Sequence, residues 1–107
     1  MKELNLLHYA FFEKLQSMPS IEKILLYGSR ARGNNRARSD IDLAIVCPKA
    51  TDQEWLMIID ITEDADTLLK IDCVRFDTLS DTNPLKQAIV HDGIVIYEKG
   101  SHAKTTT

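Results

Sequence analysis

No apolar run in these 107 residues is long enough to cross a bilayer, which takes about 20 apolar residues, and no signal-peptide pattern opens the chain. Cysteine is scarce. Cys47 and Cys73 are the only two, and their separation gives no metal-ligand spacing. Both fall in apolar, strand-like segments, so free buried thiols in a reducing cytoplasm are expected. An excess of positive charge is also missing: 13 Lys and Arg stand against 16 Asp and Glu, a net charge of −3. That balance argues against extensive nucleic-acid binding. No internal repeat is visible, and no serine or cysteine sits in a triad-like arrangement.

Hydrophobic residues make up 44% and charged residues 27%, ordinary globular values that allow one real core. A single domain is expected over residues 1–99, with a polar tail, 100–107, that has nothing to pack and is expected to be disordered. The arginines are concentrated, since Arg30, Arg32, Arg36 and Arg38 fall within nine residues. A local basic patch on an acidic body suits a small polyanion, such as a nucleoside triphosphate, better than a long one.

Periodicity gives a coarse map. Leu4, Leu7, Phe11, Phe12 and Leu15 predict an amphipathic helix over 2–17, ended before Pro19. Short apolar runs predict strands at 21–27, 41–47, 70–76 and 94–98. Trp55, Ile58, Ile59, Thr62 and Ala65 predict a helix over 52–69, with Thr51 or Asp52 as its cap. A shorter helix is expected over 81–91, followed by an Asp92-Gly93 turn. The fold class is therefore α+β: a small mixed β-sheet with helices packed on one face.

The chemistry concentrates in Gly28-Ser29-Arg30-Ala31-Arg32-Gly33 and, a few residues on, Ser39-Asp40-Ile41-Asp42-Leu43. Side chains alternate along a strand, so Asp40 and Asp42 share a face, about 6.6 Å apart along the chain. Ile41, Leu43, Ile45 and Cys47 point the other way and read as the core side. Two carboxylates so placed can reach a pair of metal ions, which in two-metal sites lie about 3.5–4 Å apart. The alternative is that Ser39 and Asp40 only cap a turn. Asp72 lies inside an apolar run, where an unpaired carboxylate is costly. If its strand neighbours the second one, Asp72 completes a three-carboxylate cluster for which Mg²⁺ is the natural partner. Otherwise it pairs with Lys70 or Arg75. Gly28 lets the backbone turn and approach a ligand closely. If a helix starts there, its N–H groups and the Ser29 hydroxyl form a phosphate cradle; otherwise this is an ordinary strand-to-helix turn. Arg30 and Arg32, nearest that turn, are the candidate phosphate clamps, whereas Arg36 and Arg38 read as loop residues. His8, His91 and His102 show no relation to the acids. Glu63, Asp64 and Asp66 read as the wet face of a helix, and Trp55 as core or partner surface.

Gly28-Ser29, ten intervening residues, Asp40-Ile41-Asp42 and the later strand residue Asp72 resemble the nucleotidyltransferase superfamily related to DNA polymerase beta. The fuller pattern GSRARG…SDIDLAI, with the ending DGIVIYE, is similar to its minimal branch, the MNT antitoxins of HEPN-type toxins. The resemblance runs from about Ile21 to Glu98. It implies a nucleotidyltransferase-like fold, Gly28 and Ser29 on the triphosphate, and Asp40, Asp42 and Asp72 on Mg²⁺. It further implies transfer of AMP from ATP to a tyrosine of a HEPN toxin, silencing its RNase activity, in an oligomer with that toxin. The chain has no room for a domain that would hold the acceptor, so another protein is expected to supply it. Two other readings remain open: an antitoxin acting by binding alone, and a nucleotidyltransferase acting on a small molecule or an RNA end.

Overall fold

The computed structural model describes residues 9–33 and 40–100. The start of the first expected helix, with His8, lies outside these residues, as do Arg36, Arg38, Ser39 and the tail beyond 100. Among the described residues the order is α1 (Ala10–Gln16), β1 (Lys23–Tyr27), α2 (Ser29–Arg32), β2 (Ile41–Val46), α3 (Asp52–Glu63), β3 (Ile71–Arg75), a 3₁₀ turn (Phe76–Thr78), α4 (Pro84–Asp92) and β4 (Ile94–Glu98). The four strands form one sheet in the order β3-β2-β1-β4. β1 runs antiparallel to both β2 and β4, whereas β2 and β3 are parallel. This is the expected mixed α+β sheet.

One face of the sheet carries the core. Ile24 and Leu26 of β1 and Ile41, Leu43 and Ile45 of β2 are fully buried with Phe11, Phe12 and Leu15 of α1, Ile58 of α3, and Ile21. The strict alternation along β2 commits its even-numbered side chains to the other face, and that is how the core positions the acids. Cys47 is buried as expected, but Cys73 is only half-buried; both are free thiols. Burial pushes the Cys47 thiol up to about 11 and the Cys73 thiol up to about 12, so neither is primed as a nucleophile.

Two helices differ from the sequence expectation. α3 stops at Glu63 rather than reaching 69. It begins with a full capping box, Thr51 Oγ1 accepting from the Glu54 amide and Glu54 Oε1 from the Thr51 amide. Its C-terminal end has no basic residue and runs into Glu63, Asp64 and Asp66, charges that the helix dipole opposes. Asp66 is therefore not on a helix face. Its carboxylate accepts the Ala10 and Phe11 amides at 3.1 and 3.3 Å and caps α1. These bonds, the Ala10 one first, hold the Asp66 carboxyl below its ordinary range. α4 starts at Pro84, not at Asp81, because the residue before a proline is driven out of helical geometry. That residue, Asn83, caps the helix through its side chain, which accepts the Leu85 amide at 2.8 Å.

Candidate active site

Strand pairing brings the two strand carboxylates together. Asp42 of β2 and Asp72 of β3 are register partners in the parallel pair, and Tyr27, the last residue of β1, is the partner of Asp42 on the other side. Asp40 lies just ahead of β2 and is exposed. Burial, then Asp72, then Asp40 raise the Asp42 carboxyl above its ordinary value, against the pull of Arg30 and Arg32. Asp42 therefore feels both of the other acids across this end of the sheet.

Gly28 makes this geometry possible. It adopts φ +78°, left-handed backbone that side-chain-bearing residues avoid, and a Cβ there would collide with the Asp42 carboxylate. The glycine is thus needed both for the turn and for room beside the acid. α2 starts directly afterwards at Ser29 and is closed by the Arg32 amide donating to the Gly28 carbonyl at 3.1 Å. Arg30 Nε donates to the Asp40 carbonyl at 3.3 Å, tying α2 to the segment that leads into the acids. Arg32 Nη1 lies 3.5 Å from Asp92 Oδ2 at the end of α4. Asp72 also has the neighbour considered from sequence, Lys70, whose Nζ lies 3.7 Å from Asp72 Oδ1 at an exposed position. Such a pair is weak and leaves the carboxylate accessible.

Among the described residues, no three His, Cys, Asp or Glu side chains form a ready-made metal cage. The donor set still suits a magnesium ion. Mg²⁺ is held through one or two carboxylates, with water and substrate phosphates completing the shell, and a cation would offset the burial and the neighbouring carboxylates that raise Asp42. Two clefts lie elsewhere. One, of about 360 Å³, is lined by Glu22, Lys23, Val46, Glu98 and Lys99 at the opposite end of β1. The other, of about 340 Å³, is lined by Asp81, Lys86, Gln87, Val90 and His91 beside α4. Neither contains the acids, so the site is marked by charge and close backbone approach rather than by these cavities.

Two residues at this end were not singled out from sequence. Tyr27 is pushed up to about 12, by burial first and then by Asp42, Asp72 and Cys73, so it stays a neutral phenol beside the carboxylates. Its strand parity and its place directly before Gly28 were the available signals. Asp92 was read only as part of a turn, and nothing local to it announces a partner 60 residues away.

A glycine turn thus feeds a one-turn helix beside register-paired aspartates. The chain belongs to the polymerase beta nucleotidyltransferase family, whose pattern it matches over residues 11–102. It is similar in fold to a toxin–antitoxin structure with AMP-PNP, at 19% identity and TM-score 0.59, covering 98% of this chain and 80% of that one. It is also similar to the toxin–antitoxin pair MntA–HepT, at 18% identity, TM-score 0.57 and coverages of 96% and 76%. A third similar structure is a tri-AMPylated Shewanella oneidensis HEPN toxin in complex with MNT antitoxin, at 18% identity, TM-score 0.58 and the same coverages of 96% and 76%. No curated protein matches the chain.

Proposed function

We propose that this chain is an antitoxin of the minimal nucleotidyltransferase type, transferring AMP from ATP to a tyrosine hydroxyl of a HEPN-type toxin. The observation that carries the reading is the register pairing of Asp42 with Asp72 beside the Gly28-Ser29 turn. Family membership supports the reaction class, and the fold shared with an AMP-PNP-bound antitoxin complex and with the complex of an AMPylated toxin supports the donor and the acceptor.

In this reading Asp40, Asp42 and Asp72 hold Mg²⁺, which would neutralise phosphate charge and polarise the α-phosphate. The acceptor hydroxyl attacks the α-phosphorus in line. The new bond is tyrosine oxygen to phosphorus, the bond to the bridging α–β oxygen breaks, and pyrophosphate leaves. Asp72, at the open side of the pair, takes the hydroxyl proton. The backbone at Gly28-Ser29 approaches the triphosphate, and Arg30 and Arg32 meet the charge that develops on the leaving group. Tyr27, held neutral, adds no further negative charge beside Asp42. No described helix is long and apolar enough to cross a membrane. A cytoplasmic setting, where thiols stay reduced and ATP is abundant, suits two free cysteines.

Label transfer from α-labelled and γ-labelled ATP in Mg²⁺, in lysate of the source organism, tests the reading. Label from the α position alone, on one protein band and on tyrosine, is expected. Label on small molecules or RNA would move the acceptor class. Protection of cells from the toxin with no transfer from either ATP would leave an antitoxin that acts by binding.

A further inference from the structure

α2 is a single turn of four residues, and so short a helix has little stability of its own. Its orientation depends on what braces it. On one side Arg30 donates to the Asp40 carbonyl. On the other, Arg32 reaches the end of α4, where Asp92 is the last helical residue. Both oxygens of Asp92 are engaged, Oδ2 with Arg32 at 3.5 Å and Oδ1 with His91 Nδ1 at 2.8 Å. The carboxylate is therefore fixed in rotation and points one oxygen at α2. Gly93 follows directly, in a place where a Cβ would collide with the Ile89 carbonyl and press on Leu25 of β1, so the end of α4 is seated firmly against the sheet. Asp92 thus stands on a fixed support, unlike the one-turn helix it touches.

We propose that Asp92 is a positioning residue for the nucleotide, holding the Arg32 guanidinium at the acid-bearing end of the sheet before ATP arrives. The proposal rests on the nucleotidyltransferase reading above. A guanidinium carries five N–H donors in a planar fork, and Asp92 engages one nitrogen, leaving donors for phosphate oxygens. A side chain held in place loses less conformational freedom on binding than a loose one. The Arg32 charge is already felt at Asp42, so the bracing leaves the arginine within electrostatic reach of the site.

Binding of a fluorescent non-hydrolysable ATP analogue to the intact chain tests this with a double-mutant cycle. Asp92→Asn is expected to weaken binding roughly two- to fivefold, the range of a partly exposed ion pair. In AMP transfer, KM for ATP rises by the same factor while kcat holds. Asp92→Glu restores most of the loss. In an Arg32→Ala background, Asp92→Asn should have no further effect. An equal loss in that background would show that Asp92 acts through the fold, and unchanged binding by Asp92→Asn alone would show that it does not act; either overturns the proposal. If the unaltered chain binds no nucleotide, the nucleotidyltransferase reading itself fails and this inference goes with it.

Discussion

The two ends of the β2–β3 pair handle charge in opposite ways. At the far end, Arg75 Nη2 donates to the Cys47 and Ala50 carbonyls at 3.1 and 2.7 Å, and its guanidinium lies 5.9 Å from the Trp55 ring. Asp77 accepts the Cys47 amide at 2.7 Å and stands 4.0 Å from Arg75 Nε. There the cation and the anion face each other and together pin the loop into α3, although the buried Arg75 Nε itself has no hydrogen-bond partner among the described residues. At the near end, Arg30 is tied to a backbone carbonyl, Arg32 to Asp92, and Lys70 to Asp72 at an exposed position. Asp42 is left half-buried beside other carboxylates, and burial first, then Asp72 and Asp40, raise its carboxyl against the pull of Arg30 and Arg32. A balanced cluster holds a fold together, whereas a crowded one is poised for a ligand that brings the missing charge.

Asp42→Asn should break the near end. Loss of a centrally placed stabilising group costs on the order of a hundredfold or more in rate, so AMP transfer should fall at least that far, read as α-label on the toxin. Circular dichroism should be unchanged. Transfer at the parental rate would remove Asp42 from the site. Arg75→Met makes the converse change at the far end. It strips the Cys47 and Ala50 carbonyls of their donor and leaves Asp77 without its cation, for an expected loss of about 2–3 kcal/mol in urea unfolding. Transfer per folded molecule should be unchanged. A large loss of activity at unchanged stability would erase the distinction between the two ends.

Gly28→Ala falls between these extremes because Gly28 serves both purposes. Left-handed backbone costs a side-chain-bearing residue about 1–2 kcal/mol, and the added methyl must also displace the Asp42 carboxylate. Stability and transfer should therefore fall together. Stability falling with full activity would place the acids independently of the turn.

Much of the near end was legible in the sequence. Period-two alternation in IDLAIVC gave the core face of β2, and by exclusion the face of Asp42. It could not give the neighbour: parity says which way a side chain points, not which strand lies alongside, so the Asp42–Asp72 pairing waited on the structure. Helical periodicity ran past Glu63 because Ala65 and Leu69 continue the apolar spacing, whereas the unfavourable acids and the capping of α1 by Asp66 decide the end. The Gly28–Asp42 close approach, the Arg75 hub and the Asp92 brace each join residues 14 or more positions apart in the chain. Local pattern carries no trace of such pairs.

The smallest expected effect separates the two ends most sharply, because it has the opposite sign to ordinary damage. The Asp42 carboxyl is raised in the folded state, so between its unfolded and folded values the native protein binds more protons than the unfolded chain. Stability contributed by this group is greatest at low pH and falls as pH rises through the raised value. The ionised carboxylate is thus a burden on the fold at neutral pH. Asp42→Asn removes that burden, so the variant that loses transfer should melt at a slightly higher temperature than the parent at pH 7. The difference should shrink as the pH is lowered and the parental carboxyl takes up its proton. Saturating Mg²⁺ with ATP should raise the parent's melting temperature and leave the variant's nearly unmoved. A variant less stable than the parent at pH 7 would mean that Asp42 is satisfied in the free protein, and that the two ends of the sheet are alike.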